Sequence, residues 1–211
     1  MGRLGAVVHA SSGAQRHAQH YHNRPGLYTA SRVHGFDPIQ MMNQQDIKHK
    51  LDQWLTDFVE ANNSQLGNWP PCPYARAARL SGMISTVFAT PMEFVDVIRE
   101  STATLTNKDV VVVCFDHHNI SPEDLQEFVA SMNRTLMPVD YVILEDHPDA
   151  PEYVNGVKMN FGLCGLLVIQ RLSKLNNAAD RLREKGYYDT WDKAAVDDVV
   201  TWRYQNEILQ N

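Results

Sequence analysis

Cysteine is scarce in this sequence and long apolar runs are missing, and each deficit excludes a class of protein. The 211 residues include three cysteines, Cys72, Cys114 and Cys164, an odd number with no C-x-x-C pair. A disulfide framework is therefore not expected, and a reducing, cytoplasmic location is favoured. The longest apolar candidate, residues 161–169, falls short of the roughly 20 residues that span a bilayer, so we expect no membrane segment.

Basic stripes and known catalytic signatures are also missing. The formal net charge is −6 at pH 7, and no cluster of Lys and Arg is visible, so nucleic acid is not an expected partner. The sequence contains no G-x-G-x-x-G, G-x-x-x-x-G-K-[ST], H-E-x-x-H or G-x-S-x-G pattern. Any small-molecule site must therefore be argued from individual residues.

Acidic residues are absent from residues 1–36, which differ in composition from the rest. An acid-free start with Arg and Ser resembles an organellar transit peptide, whereas the histidines within residues 17–22 could hold a metal. A third alternative is a disordered tail or sequence upstream of the true start. We favour the third, because a tract this polar buries little. Residues 1–41 are then a disordered or non-native segment, and residues 42–211 form one α/β domain.

The hydrophobic pattern beyond that point predicts alternating helices and strands. Apolar residues at helical spacing predict a helix over residues 44–61. Apolar runs predict three strands, over residues 83–89, 109–115 and 140–144. Capping signals that begin at Thr90 and at Ser121 start the helices between these strands. We therefore expect an α/β fold with a βαβαβ core, in which a small, mainly parallel sheet is flanked by helices.

Two extra helices are expected at the C-terminal end. The first covers residues 161–185 and is apolar nearly all round at its start, so it should be buried against the sheet or against a partner chain. The second is amphipathic and carries Trp191, Ala195, Val199 and Trp202. A homo-oligomer that packs through these helices is one alternative that follows.

Two of the three loops that follow the predicted strands are rich in His and carboxylate. If the strands are parallel, these loops share one edge of the sheet, where α/β proteins bind their ligands. Mixed nitrogen and oxygen donors suit a divalent transition metal such as Zn²⁺, Mn²⁺ or Fe²⁺. The candidate metal ligands are His117, His147 and Asp149. A carboxylate beside His147, namely Asp146, would orient the ring and raise its pKa, which suits a base. The alternatives are a solvated acidic turn and Asx side chains that cap the next helix.

Cys72 lies between prolines just before a short predicted helix over residues 73–80. As the N-cap residue it would face unpaired backbone N–H groups and the positive end of the helix dipole. Arg76 and Arg79 would add positive charge, and such settings lower the pKa of a thiol. The alternative is a small buried side chain that fills space. Cys114 and Cys164 fall in apolar segments and are expected in the core.

The segment from about residue 51 to residue 171 resembles a bacterial protein family of unknown function. Members pair a Trp-Leu helix with an N-L-C-P-F-A segment, an apolar strand and a later strand that ends in F-H-P. The matching points are Trp54-Leu55, Cys72-Pro73-Tyr74-Ala75, residues 110–113 and Asp146-His147-Pro148. A later N-R-[SA]-P segment of the family is half matched, by Asn155, with Lys158 as a substitute for the Arg charge. The resemblance implies that Cys72 and His147 belong to one site, and it supplies no activity.

These observations predict a small enzyme that acts on a polar or anionic metabolite. Cys72 would be the nucleophile or a thiolate ligand, and His147 the base, steered by Asp146. The expected substrate-binding residues are Arg76, His117, Asn155 and Lys158. The alternative is a non-catalytic binding or assembly protein that dimerises through its C-terminal helices.

Overall fold

The computed structural model describes residues 43–204. The predictions for residues 1–41 lie outside this range. The α-helices are α1 (Gln44–Trp54), α2 (Ala75–Leu80), α3 (Phe94–Thr104), α4 (Pro122–Leu136), α5 (Leu172–Glu184) and α6 (Lys193–Val199). The strands are β1 (Ile84–Phe88), β2 (Val110–Phe115), β3 (Tyr141–Asp146), β4 (Tyr153–Val154), β5 (Val157–Lys158) and β6 (Gly165–Arg171).

A four-stranded sheet in the order β1-β2-β6-β3 forms the centre of the fold. β1 and β2 are parallel, whereas β6 is antiparallel to both of its neighbours. β1, β2 and β3 therefore run in one direction, and β6 lies between β2 and β3 in the opposite direction. The α/β class is confirmed. The expectation of a mainly parallel sheet is wrong, because β6 inserts between β2 and β3 and makes two of the three pairings antiparallel.

The predicted long helix over residues 161–185 is wrong in its first half. Residues Gly165–Arg171 form β6, and only Leu172–Glu184 form α5. A strand that is covered on both faces is apolar all round, as is a buried helix, so periodicity does not separate the two. The expected burial of this segment is observed, because β6 lies inside the sheet of the same chain.

Helices cover both faces of the sheet, and alternate strand residues point to each face. One face packs against α1 and α5 and includes Val112, Cys114, Leu144, Cys164, Leu166 and Val168. The other face packs against α3 and α4 and includes Val111, Val113, Phe115, Ile143, Leu167 and Ile169. A further apolar cluster joins α5, α6 and the β4–β5 hairpin around Tyr187 and Trp191.

The helices begin where the sequence places capping side chains. The Thr90 N–H and hydroxyl both donate to Glu93, which closes the predicted capping box ahead of α3. Ser121 Oγ accepts the Asp124 N–H at 3.1 Å and starts α4. The first predicted helix is observed as α1 followed by one π-helical turn, Leu55–Val59.

Candidate functional site

Three loops meet at the carboxyl-end edge of the sheet, because β1, β2 and β3 share a direction. They start at Ala89 after β1, at Asp116 after β2 and at His147 after β3. This shared edge confirms the placement expected from the sequence. It corresponds to the side of an α/β sheet on which ligands bind.

Asp116, His117 and His118 form a compact turn directly after β2. The turn is a short 3-10 helix over His117–Asn119, and the Asp116 carboxylate accepts the backbone N–H of His118 at 3.1 Å. The same Oδ1 lies 2.8 Å from Nδ1 of His118. The potential ligand atoms of the three side chains all lie within 4.8 Å of one another. We call this group the Asp-His-His cluster.

The two imidazoles of the cluster have different environments. His118 is exposed, whereas His117 is 5% exposed, and their ring centroids are 3.9 Å apart. Burial, together with the nearby His118, lowers the pKa of His117, which favours the neutral ring that a metal requires. Burial raises the pKa of Asp116, but hydrogen bonds from His118 outweigh it and leave that pKa below its usual value. Within residues 43–204, Nδ1 of His117 has no hydrogen-bond partner.

His147 is close to this cluster, but its ring is engaged by the backbone. Nε2 lies 3.2 Å from the carbonyl oxygen of His117 and 3.1 Å from that of Ile120, so its N–H donates to both. Nδ1 accepts the backbone N–H of Asp149 at 3.1 Å. Both ring nitrogens therefore form hydrogen bonds. Those of Nε2 connect the loop after β2 with the loop after β3, and that of Nδ1 lies within the loop after β3. The geometry therefore gives His147 the role of a structural pin, in place of the expected base or metal ligand.

The expectation that the Asp146 carboxylate orients the His147 ring is wrong, because this carboxylate bonds to other groups. Asp146 is fully buried, and its carboxylate accepts Nδ2–H of Asn160 at 2.7 Å and the backbone N–H of Phe161 at 2.8 Å. Burial raises the pKa of this carboxyl, despite the two hydrogen bonds. Asp146 therefore ties the end of β3 to the segment before β6. Asp149 is exposed, and its charge acts on His117.

Cys72 lies elsewhere, in the wall of an apolar cavity beneath α1. α2 begins at Ala75 with Tyr74 as its N-cap, so the expected N-cap position of Cys72 is wrong. Burial raises the pKa of the Cys72 thiol, because desolvation outweighs its hydrogen bonds with the backbone of Tyr74 and Ala75. Arg79, which was expected to stabilise a thiolate, donates to both carboxylate oxygens of Glu60, at 2.6 and 2.9 Å.

The remaining expected substrate-binding residues lie on other elements. Arg76 is exposed on α2. Asn155 is in the turn of the β4–β5 hairpin, where Nδ2 donates to the carbonyls of Gln65 at 3.0 Å and Thr190 at 2.8 Å. Lys158 is exposed on β5. Of the predicted substrate-binding set, only His117 belongs to the Asp-His-His cluster.

A pocket of about 360 Å³ lies beside the cluster and shares Asp116 with it. Its wall includes Thr90 and Glu93 from the loop after β1, and both Cys114 and Cys164. These cysteines are buried, as expected. The hydrogen bond with Cys114, together with burial, raises the pKa of the Cys164 thiol. Sequence reasoning missed this pairing, because β6 was assigned to a helix.

No match to this chain was found among protein-family models, curated proteins or solved structures. The resemblance to an uncharacterised bacterial family stays a prediction. Across residues 43–204, no helix is both long and apolar enough to cross a membrane.

Proposed function

We propose that the chain binds a divalent transition metal through the Asp-His-His cluster, and that this metal acts on a small polar molecule in the adjacent pocket. The observation that carries the proposal concerns His117. Its Nδ1 is buried and has no hydrogen-bond partner in the described part of the chain. A buried polar atom without a partner costs free energy. Coordination of a metal by the cluster offers such a partner.

The dimensions of the cluster support this proposal. Metal bonds of about 2.0–2.2 Å at tetrahedral angles place two ligand atoms roughly 3.3–3.6 Å apart. The ligand atoms of the cluster lie within 4.8 Å of one another, so an approach of at most about 1.5 Å brings them into range. His118 is exposed and can supply this movement by rotation of its side chain.

The donor set indicates the class of metal. Two imidazoles and one carboxylate suit Zn²⁺, Fe²⁺ or Mn²⁺ better than Ca²⁺ or Mg²⁺, which prefer oxygen ligands alone. Three protein ligands leave positions open for water or substrate, as in catalytic sites. A metal with open positions can polarise a bound oxygen or acidify a bound water.

The pocket favours a neutral polar molecule, or an anion that binds through the metal. Glu93 and Asp116 both contribute to its wall, and they would repel a free anion. The Glu93 carboxylate is held by Thr90, whose hydrogen bonds keep the pKa of Glu93 below its usual value. We therefore propose an enzyme on a small polar metabolite, with the metal at its centre in place of Cys72.

The alternative, an assembly protein that dimerises through its C-terminal helices, lacks a specific observation in its favour. Leu172, Leu175, Ala179 and Leu182 of α5 are buried in the protein's own core. Ala195 and Val199 of α6 are buried with them. The apolar faces that the assembly would use are thus covered within one chain.

Metal titration of the full chain tests the proposal. The five histidines before residue 43 are replaced by Ala first, because they could bind metal independently. Calorimetry and elemental analysis with Zn²⁺, Mn²⁺ and Fe²⁺ should then show about one equivalent bound. His117→Ala, His118→Ala and Asp116→Asn should each weaken binding by at least about tenfold. His49→Ala, which removes an exposed histidine on α1, should leave it unchanged.

Two results would refute the metal site. One is less than about a tenth of an equivalent of any of these metals after supplementation. The other is an equal loss of metal affinity in the His117→Ala and His49→Ala variants.

A further inference from the structure

An apolar cavity of about 120 Å³ lies between the sheet and α1, away from the Asp-His-His cluster. Side chains of all four central strands form its floor, and α1, α2 and α6 contribute to its walls. Leu55, Phe58 and Val59 of the π-helical turn also line it. Single π-helical turns inside helices occur frequently at functional sites. Here the turn widens the helix where it faces the cavity.

The cavity wall carries few polar groups. They include the half-buried thiol of Cys72, the buried amide of Gln170 and the indole of Trp191. The Trp191 side chain is 7% exposed, and within residues 43–204 its Nε1 has no hydrogen-bond partner. An indole N–H is only a donor, so it requires an acceptor.

Size and polarity together define the molecule that fits. Apolar cavities of this order stay dry and bind molecules of about the size of benzene. A purely apolar occupant would leave the Trp191 N–H without a partner, whereas one acceptor atom would satisfy it. A charged occupant is excluded, since the walls provide no counter-charge within the described lining.

We propose that this cavity is a binding site for an uncharged, mainly apolar molecule of roughly the size of a six-membered ring, with one hydrogen-bond acceptor that Trp191 recognises. The site is separate from the metal site of the proposed function, since none of the described cavity-lining residues belongs to the Asp-His-His cluster. Failure of one proposal therefore leaves the other in place.

A matched pair of probes tests the site in the full chain. Cyclohexanone carries a carbonyl acceptor, and methylenecyclohexane has nearly the same shape without one. Both should bind saturably, as measured by ligand-observed NMR and by the rise in melting temperature. In Trp191→Phe, the affinity for cyclohexanone should fall by about fivefold relative to that for methylenecyclohexane, because only the ketone loses a hydrogen bond. Ala75→Leu, which fills the cavity from α2, should abolish binding of both probes.

Three outcomes would overturn the proposal. They are the absence of saturable binding of both probes to the unaltered chain, equal loss of both affinities in Trp191→Phe, and unchanged binding in a folded Ala75→Leu variant. If Ala75→Leu does not fold, the ratio of the two affinities in Trp191→Phe still decides the question.

Discussion

The side-chain amide of Asn133 pairs with the backbone of Ile143 as a neighbouring strand would. Asn133 Nδ2 donates to the Ile143 carbonyl at 2.9 Å, and the Ile143 N–H donates to Asn133 Oδ1 at 2.8 Å. β3 is an edge strand, and its outer side would otherwise leave these two buried groups unpaired. Asn133 on α4 therefore closes this edge of the sheet.

Replacement of Asn133 by Ala should destabilise the protein strongly. The N–H and the C=O of Ile143 would both lose their partner. Because Ile143 is fully buried, this loss should cost about 3 kcal/mol. The melting temperature should fall by roughly 6–12 °C. Thermal unfolding measured by circular dichroism checks this, with Asn107→Ala at an exposed position as the control. A fall of less than about 2 °C would show that the edge does not depend on Asn133.

His147→Ala should also act mainly through stability. The change leaves the Ile120 carbonyl and the Asp149 N–H without their partner, at a cost of about 3 kcal/mol. The His117 carbonyl loses one of its two hydrogen bonds and keeps the one from the Ile120 N–H. His118→Ala removes an exposed pair with Asp116, so it should cost less than about 1 kcal/mol. Urea unfolding of the two variants provides the comparison. Equal destabilisation by both would contradict the assignment of His147 as a structural pin.

Cys72 should react with iodoacetamide before Cys114 and Cys164, yet more slowly than a free thiol. Cys72 is half-buried and the other two are buried. Burial raises the Cys72 pKa, so less thiolate is present at pH 7 than in the unfolded chain. In urea, the labelling rate of Cys72 should level off once pH exceeds the ordinary thiol pKa. In the native protein, the labelling rate should continue to increase at higher pH. Mass spectrometry of labelled peptides measures both rates. Faster labelling of native Cys72 at pH 7 would restore the low-pKa interpretation.

Asp146 should make stability fall as pH rises above about 4. Its folded pKa lies above the unfolded value of about 3.9. Between these two values the folded state binds more protons, so each increase in pH favours unfolding. The free energy of unfolding of the unaltered chain, minus that of Asp146→Asn, should therefore decrease through this interval. Urea titrations at several pH values supply the curves, and a difference that grows with pH would reverse the assigned direction.

Local patterns predicted much of the fold. The apolar runs located β1, β2 and β3, and the capping side chains of Thr90 and Ser121 located the starts of their helices. The shared edge of the three loops followed from strand direction alone. The Asn155-Gly156 pair, at φ of 51° and 79°, is a hairpin signal that the sequence also contains and that would have revealed β4 and β5.

The parts that were missed depend on partners distant in the chain. β6 is a strand because it pairs with β2, which lies about 55 residues earlier. The His147 ring is held by carbonyls 27 and 30 residues before it. For Cys72, desolvation by the surrounding apolar side chains outweighs the local hydrogen bonds. Sequence spacing identifies such residues, but only tertiary packing decides where their polar atoms are directed.

The position of β6 has a consequence for synthesis on the ribosome. β6 is the last strand of the central sheet to be made, yet it lies between β2 and β3. Until residues 165–171 leave the exit tunnel, β2 and β3 cannot be joined, and each presents an unpaired edge. Such edges promote association between nascent chains. The sheet therefore closes only after β6 has been made, when this strand joins the two halves of the nascent polypeptide.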